Sequence, residues 1–508
     1  MRVSFICPFI LLISFFFLEN ISAQEKELDL LVDAMCVCIT SDTAAEDGPD
    51  SQEVEDCFEG VMGEEMDKID EMFADSSKTT EENEKYFQSD ILPLMMSKLA
   101  GTCPQVITYF MQAAQQSANE QADSLKSNVE LGINYSEAGK YNAAIEEFDK
   151  ALSIEESKEL YNYRGVAKVK KGDYYSALSD FDRALEFDPE FSQALANIGF
   201  AKLQIGDFNN AIIDLKSALE LDSDNAKAYN NLGLAYLYTE QYVLAEEAFN
   251  TSIELDSTSA DAWNNRGYGY TVQGLFEKSI SDYREALSID SSYIISINNL
   301  AFSFENLEYY EKAVNFYTKS LEYDGNNPNI YNRRALVYHE LGDQDKAITD
   351  FKKAFELDST ELTYLTNVAY IYGFIENYSK AISIYDEILA QNPDNFDVIY
   401  QKAIAEYDSG DYKNAIVGFS EILNIEKTNA ELYDYRARTR FKLEEYEGAI
   451  EDYTKSIEIY NADPVIFKER GESYLELNDK EKACSDFNKA KALDFEGIED
   501  LISENCRN

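Results

Sequence analysis

The sequence predicts an all-α protein: an α-solenoid of eleven helix-turn-helix units preceded by a small helical domain. Three observations carry this. A glycine or alanine recurs every 34 residues, at Gly132, Gly165, Gly199, Gly233, Gly267, Ala301, Ala335, Ala369, Ala403, Ala437 and Gly471, with only the first interval one residue short. Twelve residues after each stands a second small residue, from Ala144 and Ala177 through Ser279 to Ala449 and Ala483. Four further on comes a large apolar side chain, mostly aromatic, such as Phe148, Phe181, Leu215, Tyr283, Tyr317 and Phe487. A fixed period of this length marks one supersecondary unit that buries its apolar face only against its neighbours.

Residues 1–23 have the pattern of a secretory signal peptide. Arg2 supplies the charged start, Val3 to Leu18 the apolar stretch, and Ile21-Ser22-Ala23 a small-residue cleavage site. Export to a periplasm or the cell exterior is therefore expected. No later segment is apolar enough to enter a membrane after signal cleavage.

Residues 24–118 lack the 34-residue period. Val54, Cys57, Phe58, Val61, Met62, Met66, Ile69, Met72 and Phe73 fall at three- and four-residue steps, which predicts an amphipathic helix. Further helices are expected over Leu28 to Val37, around Tyr86 to Leu99, and over Val106 to Ala114. The polar stretch from Thr40 to Glu55, with Gly48-Pro49, is expected to be a loop.

Of seven cysteines, Cys7 lies in the signal, leaving an even set of six. Cys36, Cys38, Cys57 and Cys103 belong to the small domain. In an oxidising compartment they are expected to form disulfides, with zinc as the alternative for four clustered thiols. Cys36 and Cys38 are too poorly aligned on a helix to bond each other.

The units run over residues 125–497. Each holds a first helix around the glycine or alanine position and a second around the later small residue. A short turn joins them, as at Gly172-Asp173, Gly206-Asp207, Gly342-Asp343 and Gly410-Asp411. Residues 498–508 close the chain as a capping helix, expected from Glu496 to Asn505, because a terminal repeat needs a polar outer surface. Cys484 and Cys506 are placed to staple that end.

The segment Tyr229-Asn230-Asn231-Leu232-Gly233-Leu234-Ala235-Tyr236, followed by Ala245 and Phe249, resembles the tetratricopeptide repeat. The resemblance covers about three-quarters of the chain and holds register through all eleven units. It departs at the repeat end, where the family's proline appears only as Pro189 and Pro393. It implies a right-handed superhelix whose first helices line the concave side, and a function in protein–protein interaction.

Comparison between repeats separates structural positions from free ones. One step before the small residue, five repeats carry Arg164, Arg266, Arg334, Arg436 and Arg470. In those same repeats the position 16 residues later is Asp180, Asp282, Asp350, Asp452 and Asp486, whereas among the other six only Asp214 stands there. The co-occurrence predicts an ion pair between the two helices of a unit, since an unpaired charge in a packed position is costly.

Two positions before the small residue stand Asn197, Asn231, Asn265, Asn299 and Asn367, with Arg333 interrupting; one position earlier stand Asn162, Asn230, Asn264, Asn298 and Asn332. Asparagine is a mediocre helix former, so its repetition calls for a reason. An amide both donates and accepts, which suits a partner's main chain. The first series looks like the asparagine ladder of the repeat domain of O-GlcNAc transferase, which implies peptide binding. The alternative is a hydrogen bond to the backbone of the neighbouring repeat. One step after the small residue lies a row of Phe200, Leu234, Tyr268, Phe302 and Tyr370, expected to line the same groove. Toward the C-terminus the lining changes to Tyr400, Tyr407, Arg438 and Phe441.

Catalysis is not expected. The single histidine, His339, has no nucleophile or metal partner in the pattern, and no phosphate-cradling loop or paired-histidine helix is present. No cofactor or metal is called for. A net charge of −52 disfavours nucleic acid and anionic lipid as partners. The reading is a protein-binding scaffold of the cell envelope. The alternatives are a metal- or ligand-sensing cysteine domain on a rigid arm, and a self-assembling structural protein.

Overall fold

The computed structural model describes residues 104–506, with side chains given for residue 111 and from 115 onward. The four cysteines expected to tie the small domain, and the signal segment, lie outside the described residues. The described chain forms two units, divided between Ile205 and Gly206.

The first unit contains α1 (Pro104–Glu137), α2 (Tyr141–Ile154), α3 (Lys158–Lys171), α4 (Tyr174–Phe187) and α5 (Ser192–Gln204). The second begins with α6 (Phe208–Leu221), α7 (Ala226–Tyr238), α8 (Tyr242–Leu255), α9 (Ala260–Val272), α10 (Phe276–Ile289), α11 (Ile294–Asn306) and α12 (Tyr310–Tyr323). It continues with α13 (Pro328–Glu340), α14 (Gln344–Leu357), α15 (Thr363–Phe374), α16 (Tyr378–Gln391), α17 (Phe396–Asp408) and α18 (Tyr412–Ile425). It ends with α19 (Ala430–Lys442), α20 (Tyr446–Ile459), α21 (Pro464–Glu476), α22 (Lys480–Ala492) and the cap α23 (Ile498–Asn505). Odd-numbered helices up to α21 are the first helices of the repeats, and even-numbered ones the second. The short helix expected over Val106 to Ala114 is part of α1, which runs unbroken through the interval between 118 and 125 into the first repeat.

Local chemistry sets the ends of these helices. The turns inside the repeats need one residue in the left-handed region, which Gly172, Gly274, Gly342 and Gly410 adopt at no steric cost. The following aspartates then cap the second helices: Asp173, Asp343 and Asp411 accept from the N–H groups of Ser176, Lys346 and Asn414. In alternate repeats the left-handed residue is Glu240, Glu308, Glu376 or Glu444. Between repeats, Ser157, Asn225, Asn327, Asn395, Asn429 and Asp463 cap the first helices, with Pro328 and Pro464 at the first helical position.

The small residues act as the spacing predicts. A Cβ placed on Gly165 would stand 2.5 Å from the ring of Phe181, and one on Gly267 would stand 2.8 Å from Tyr283. Each aromatic is fully buried where the two helices of its unit converge. Alanine repeats use the same contact, as with Ala301 and Tyr317 in one core cluster.

All five expected ion pairs form, and each is bidentate. Arg164 reaches Asp180 at 3.0 and 2.6 Å, and Arg266 reaches Asp282 at 2.8 and 2.7 Å. Arg334–Asp350, Arg436–Asp452 and Arg470–Asp486 repeat the geometry. The third guanidinium nitrogen crosses to the second helix of the preceding repeat. There it meets Asp149, Asn250, Thr318, Ser420 or Thr454. One arginine thus ties three helices, with a planar fork that lysine lacks. At the C-terminus, Cys484 and Cys506 form a disulfide with a sequence separation of 22. A loop of that size corresponds to about 3 kcal/mol of chain-entropy stabilisation.

Asp350→Ala leaves the Arg334 guanidinium buried without its carboxylate. The expected cost is about 3–5 kcal/mol, read as faster amide hydrogen exchange in α12 to α14; unchanged exchange there would contradict the clamp. Glu308→Gly relieves a left-handed side chain and should raise stability by about 1 kcal/mol, measured by urea unfolding, whereas a loss would count against the turn assignment.

Candidate partner-binding surface

The odd helices form a continuous layer within each unit. In the first unit α1 touches α3 and α3 touches α5; in the second, α7 touches α9, α9 touches α11, α15 touches α17 and α19 touches α21. Side chains from this layer form two parallel rows.

The first row holds the asparagines, and its geometry differs from expectation. Four of the five asparagines two positions before the small residue donate their amide to the asparagine three positions before the small residue of the preceding repeat. Asn197 donates to Asn162 at 2.8 Å, Asn265 to Asn230 at 3.1 Å, Asn299 to Asn264 at 3.2 Å, and Asn367 to Asn332 at 3.0 Å. The neighbouring repeat's side chain, and not its backbone, is the acceptor. These rungs staple adjacent first helices and still leave each donor asparagine one N–H; the Asn265 carbonyl oxygen also accepts from Asn264 at 3.3 Å. Asn231, on the first odd helix of the second unit, makes no such bond within that unit.

The same 35-residue offset identifies rungs that the asparagine pattern alone does not show. Tyr400 and Tyr435 meet edge to face at 6.0 Å, and Tyr400 donates to Glu431 at 2.8 Å. Asp434 and Glu469 stand where two asparagines stand elsewhere. Arg438 bridges them, donating from Nε to Asp434 at 3.2 Å and to Glu469 at 2.9 Å. The arginine expected to line the groove is thus held by two of the protein's own carboxylates. Burial pushes Asp434 up to about 7, a rise that Arg438 only partly counters and Glu469 reinforces. Glu469 is raised for the same leading reason.

The second row is apolar and faces solvent. Tyr268, Leu336 and Tyr370 follow the small residues of their repeats by one position, and they are 36%, 39% and 49% exposed. One turn further along lie Tyr238, Val272 and Phe374, which are also exposed. Phe302 and Leu234 are half-buried in the same row; in the first unit, Phe200 is half-buried as well. His339 sits edge-on to Tyr370 at 5.8 Å and to Phe374 at 4.8 Å, with its Nδ1 against Gln344. It is part of an aromatic cluster. Among the described residues no group of three His, Cys, Asp or Glu could hold a metal ion, and no helix is long and apolar enough to cross a membrane.

Against this geometry, family profiles described as tetratricopeptide repeats match residues 129–192, 201–239, 226–259, 260–293, 295–327, 328–361, 362–395 and 469–496. This chain is a tetratricopeptide repeat protein. No match was found among curated proteins. Solved structures of the family resemble it in part. A tetratricopeptide repeat protein from Parabacteroides merdae is 22% identical, covering 49% of this chain and 99% of that one, with a TM-score of 0.38. Yeast Tom70 is 17% identical, covering 75% and 94%, with a TM-score of 0.33. A protein from Thermus thermophilus, TTC0263, is 21% identical, covering 36% and 98%, with a TM-score of 0.33. The matched segments stop at residue 395 and resume at 469, and the Tyr400–Tyr435 and Asp434 chemistry lies between.

Asn265→Ala should cost about 1–2 kcal/mol by orphaning Asn230, while Asn231→Ala should cost little; equal effects in urea unfolding would contradict the rungs. A carboxyl raised to about 7 holds its proton more tightly in the folded state than in the unfolded state. Its contribution to stability is therefore present at pH 4 and lost as pH rises through 7. Comparing the wild type with Asp434→Asn by hydrogen exchange of α19 and α21 at pH 4.5 and 8, corrected for intrinsic exchange rates, should reveal a steeper slope in the wild type, since Glu469 still contributes in the variant. Parallel profiles would rule it out.

Proposed function

We propose that the odd-helix face binds an extended segment of a partner protein. Tetratricopeptide repeat proteins bind proteins or peptides, which makes the chain a protein–protein interaction scaffold. The finer reading rests on one observation: an exposed apolar row running from Tyr238 to Phe374 beside a row of amides with unused hydrogen-bonding capacity. Exposed apolar patches rimmed by polar groups mark interaction surfaces. Aromatic rings supply contact area, and amides satisfy a main chain without reading its side chains.

The rungs make the face rigid before a partner arrives, which lowers the entropic cost of binding. In this reading the asparagines do two things. They fix the spacing of the first helices, and Asn265, Asn299 and Asn367 present the remaining amide groups. Asn231, without a rung, presents its whole amide. The signal-like residues 1–23 and the Cys484–Cys506 disulfide support an exported protein of a periplasm or the cell exterior, since such bonds persist in oxidising compartments.

Peptides selected on the full chain from a random library should lose about tenfold or more in affinity when Tyr268 and Tyr370 are both changed to Ser. Circular dichroism should show helicity retained. Equal affinity for the double variant would remove the apolar row from the account.

A further inference from the structure

Between α11 and α13 the ladder has an acceptor without its donor, and this break points to a specific ligand group. At the junction of α11 and α13 the acceptor, Asn298, is present, but its donor is replaced by Arg333. The Oδ1 of Asn298 is buried and has no hydrogen-bond partner. Buried carbonyl oxygens are nearly always paired, so an orphan in a register where four neighbours are satisfied requires an explanation. Arg333 has turned elsewhere. Its guanidinium lies over the ring of Phe302, 4.6 Å from the centroid, and Nη1 donates to Glu305 at 3.3 Å. Glu305 also accepts from the buried Tyr317 hydroxyl. The Arg333 side chain is 43% exposed, and its stem is long enough to sample more than one position.

We propose that Phe302 and Glu305 form a subsite for an arginine side chain of the partner segment, occupied in the free protein by the chain's own Arg333. When the partner's guanidinium enters, Arg333 moves to the rung and donates to Asn298 Oδ1. This assignment rests on the odd-helix face being the binding face, and it names the partner's chemistry there. Phe302 belongs to the apolar row, so the subsite lies on the path of the segment. An aromatic face beside a carboxylate is suited to a guanidinium, and the resident one shows that the shape fits.

The surrounding field favours a cation. Burial and the nearby Glu340, Glu308 and Glu305 carboxylates push the Tyr310 hydroxyl above its usual range. The chain as a whole carries a net charge of −52. Exchange of guanidinium groups costs the protein one contact and returns another, because the vacated Arg333 satisfies an oxygen that otherwise has nothing. The switch therefore couples binding in the middle of the face to closure of the ladder between α11 and α13.

The test uses the full chain and two probes, acetyl-Ala-Arg-Ala-amide and its neutral isostere acetyl-Ala-citrulline-Ala-amide, titrated by calorimetry at low salt. The arginine probe should bind, and the citrulline probe should bind about tenfold more weakly, the value of one charge-assisted contact. Glu305→Gln should erase that preference. Arg333→Asn supplies a rung asparagine and uncovers the subsite, so it should raise both the affinity for the arginine probe and the melting temperature. Equal binding of both probes to the wild type overturns the subsite while leaving the peptide-binding face untouched, since that face is judged separately by the Tyr268 and Tyr370 pair. Failure of Arg333→Asn to change either affinity or melting temperature overturns the exchange.

Discussion

At Gly165 and Gly267 there is no room for a side-chain carbon, because the ring of Phe181 or Tyr283 already fills the space. That contact sets how closely the two helices of a repeat approach, and the rest of the structure follows from it. With the helices this close, the arginine beside the small residue lies within reach of an aspartate on the second helix. Its third nitrogen then reaches the repeat before. Packing within a repeat and coupling between repeats are thus set at neighbouring positions, and the 34-residue period is their record in the sequence.

Two kinds of polar contact carry the coupling, from neighbouring positions about 100° apart on the first helices. The guanidinium clamps join each first helix to second helices. The asparagine rungs join first helices to one another. Buried polar contacts of this kind add little net stability when complete, but are costly when one partner is missing. They therefore specify register: a repeat slipped by one residue would leave several buried groups unsatisfied at once. The backbones of the first helices are thereby held in one register.

Much of this was legible in the sequence, because repetition lets one repeat be compared with the next. The small-residue and aromatic series gave the helices and their contacts, and the co-occurrence of Arg164-type and Asp180-type residues gave the clamps before any coordinate. The C-terminal disulfide followed from two cysteines at the end of the repeats. The rungs were less legible. Both asparagine series were visible, yet their partnership depends on a 35-residue offset between repeats, one residue away from the period by which they were aligned. The same offset would have exposed Asp434 against Glu469 and Asn298 against Arg333. The exposed turn at Tyr238, Val272 and Phe374 was missed because only the position directly after the small residue was followed. The unbroken run of α1 was hidden by a polar composition between residues 118 and 125 that suits a solvated helix as well as a linker.

The central claim is that the partner lies along the odd helices, and site-specific photo-crosslinking in living cells tests it most directly. A benzophenone side chain would be placed at residue 268 or 370 on that face, and at residue 243 or 417 on exposed positions of the even helices. The account predicts a discrete crosslinked partner from the first two positions and none from the second two. The same adduct from residues 243 and 417, with none from 268 and 370, would place the partner on the opposite surface and contradict it.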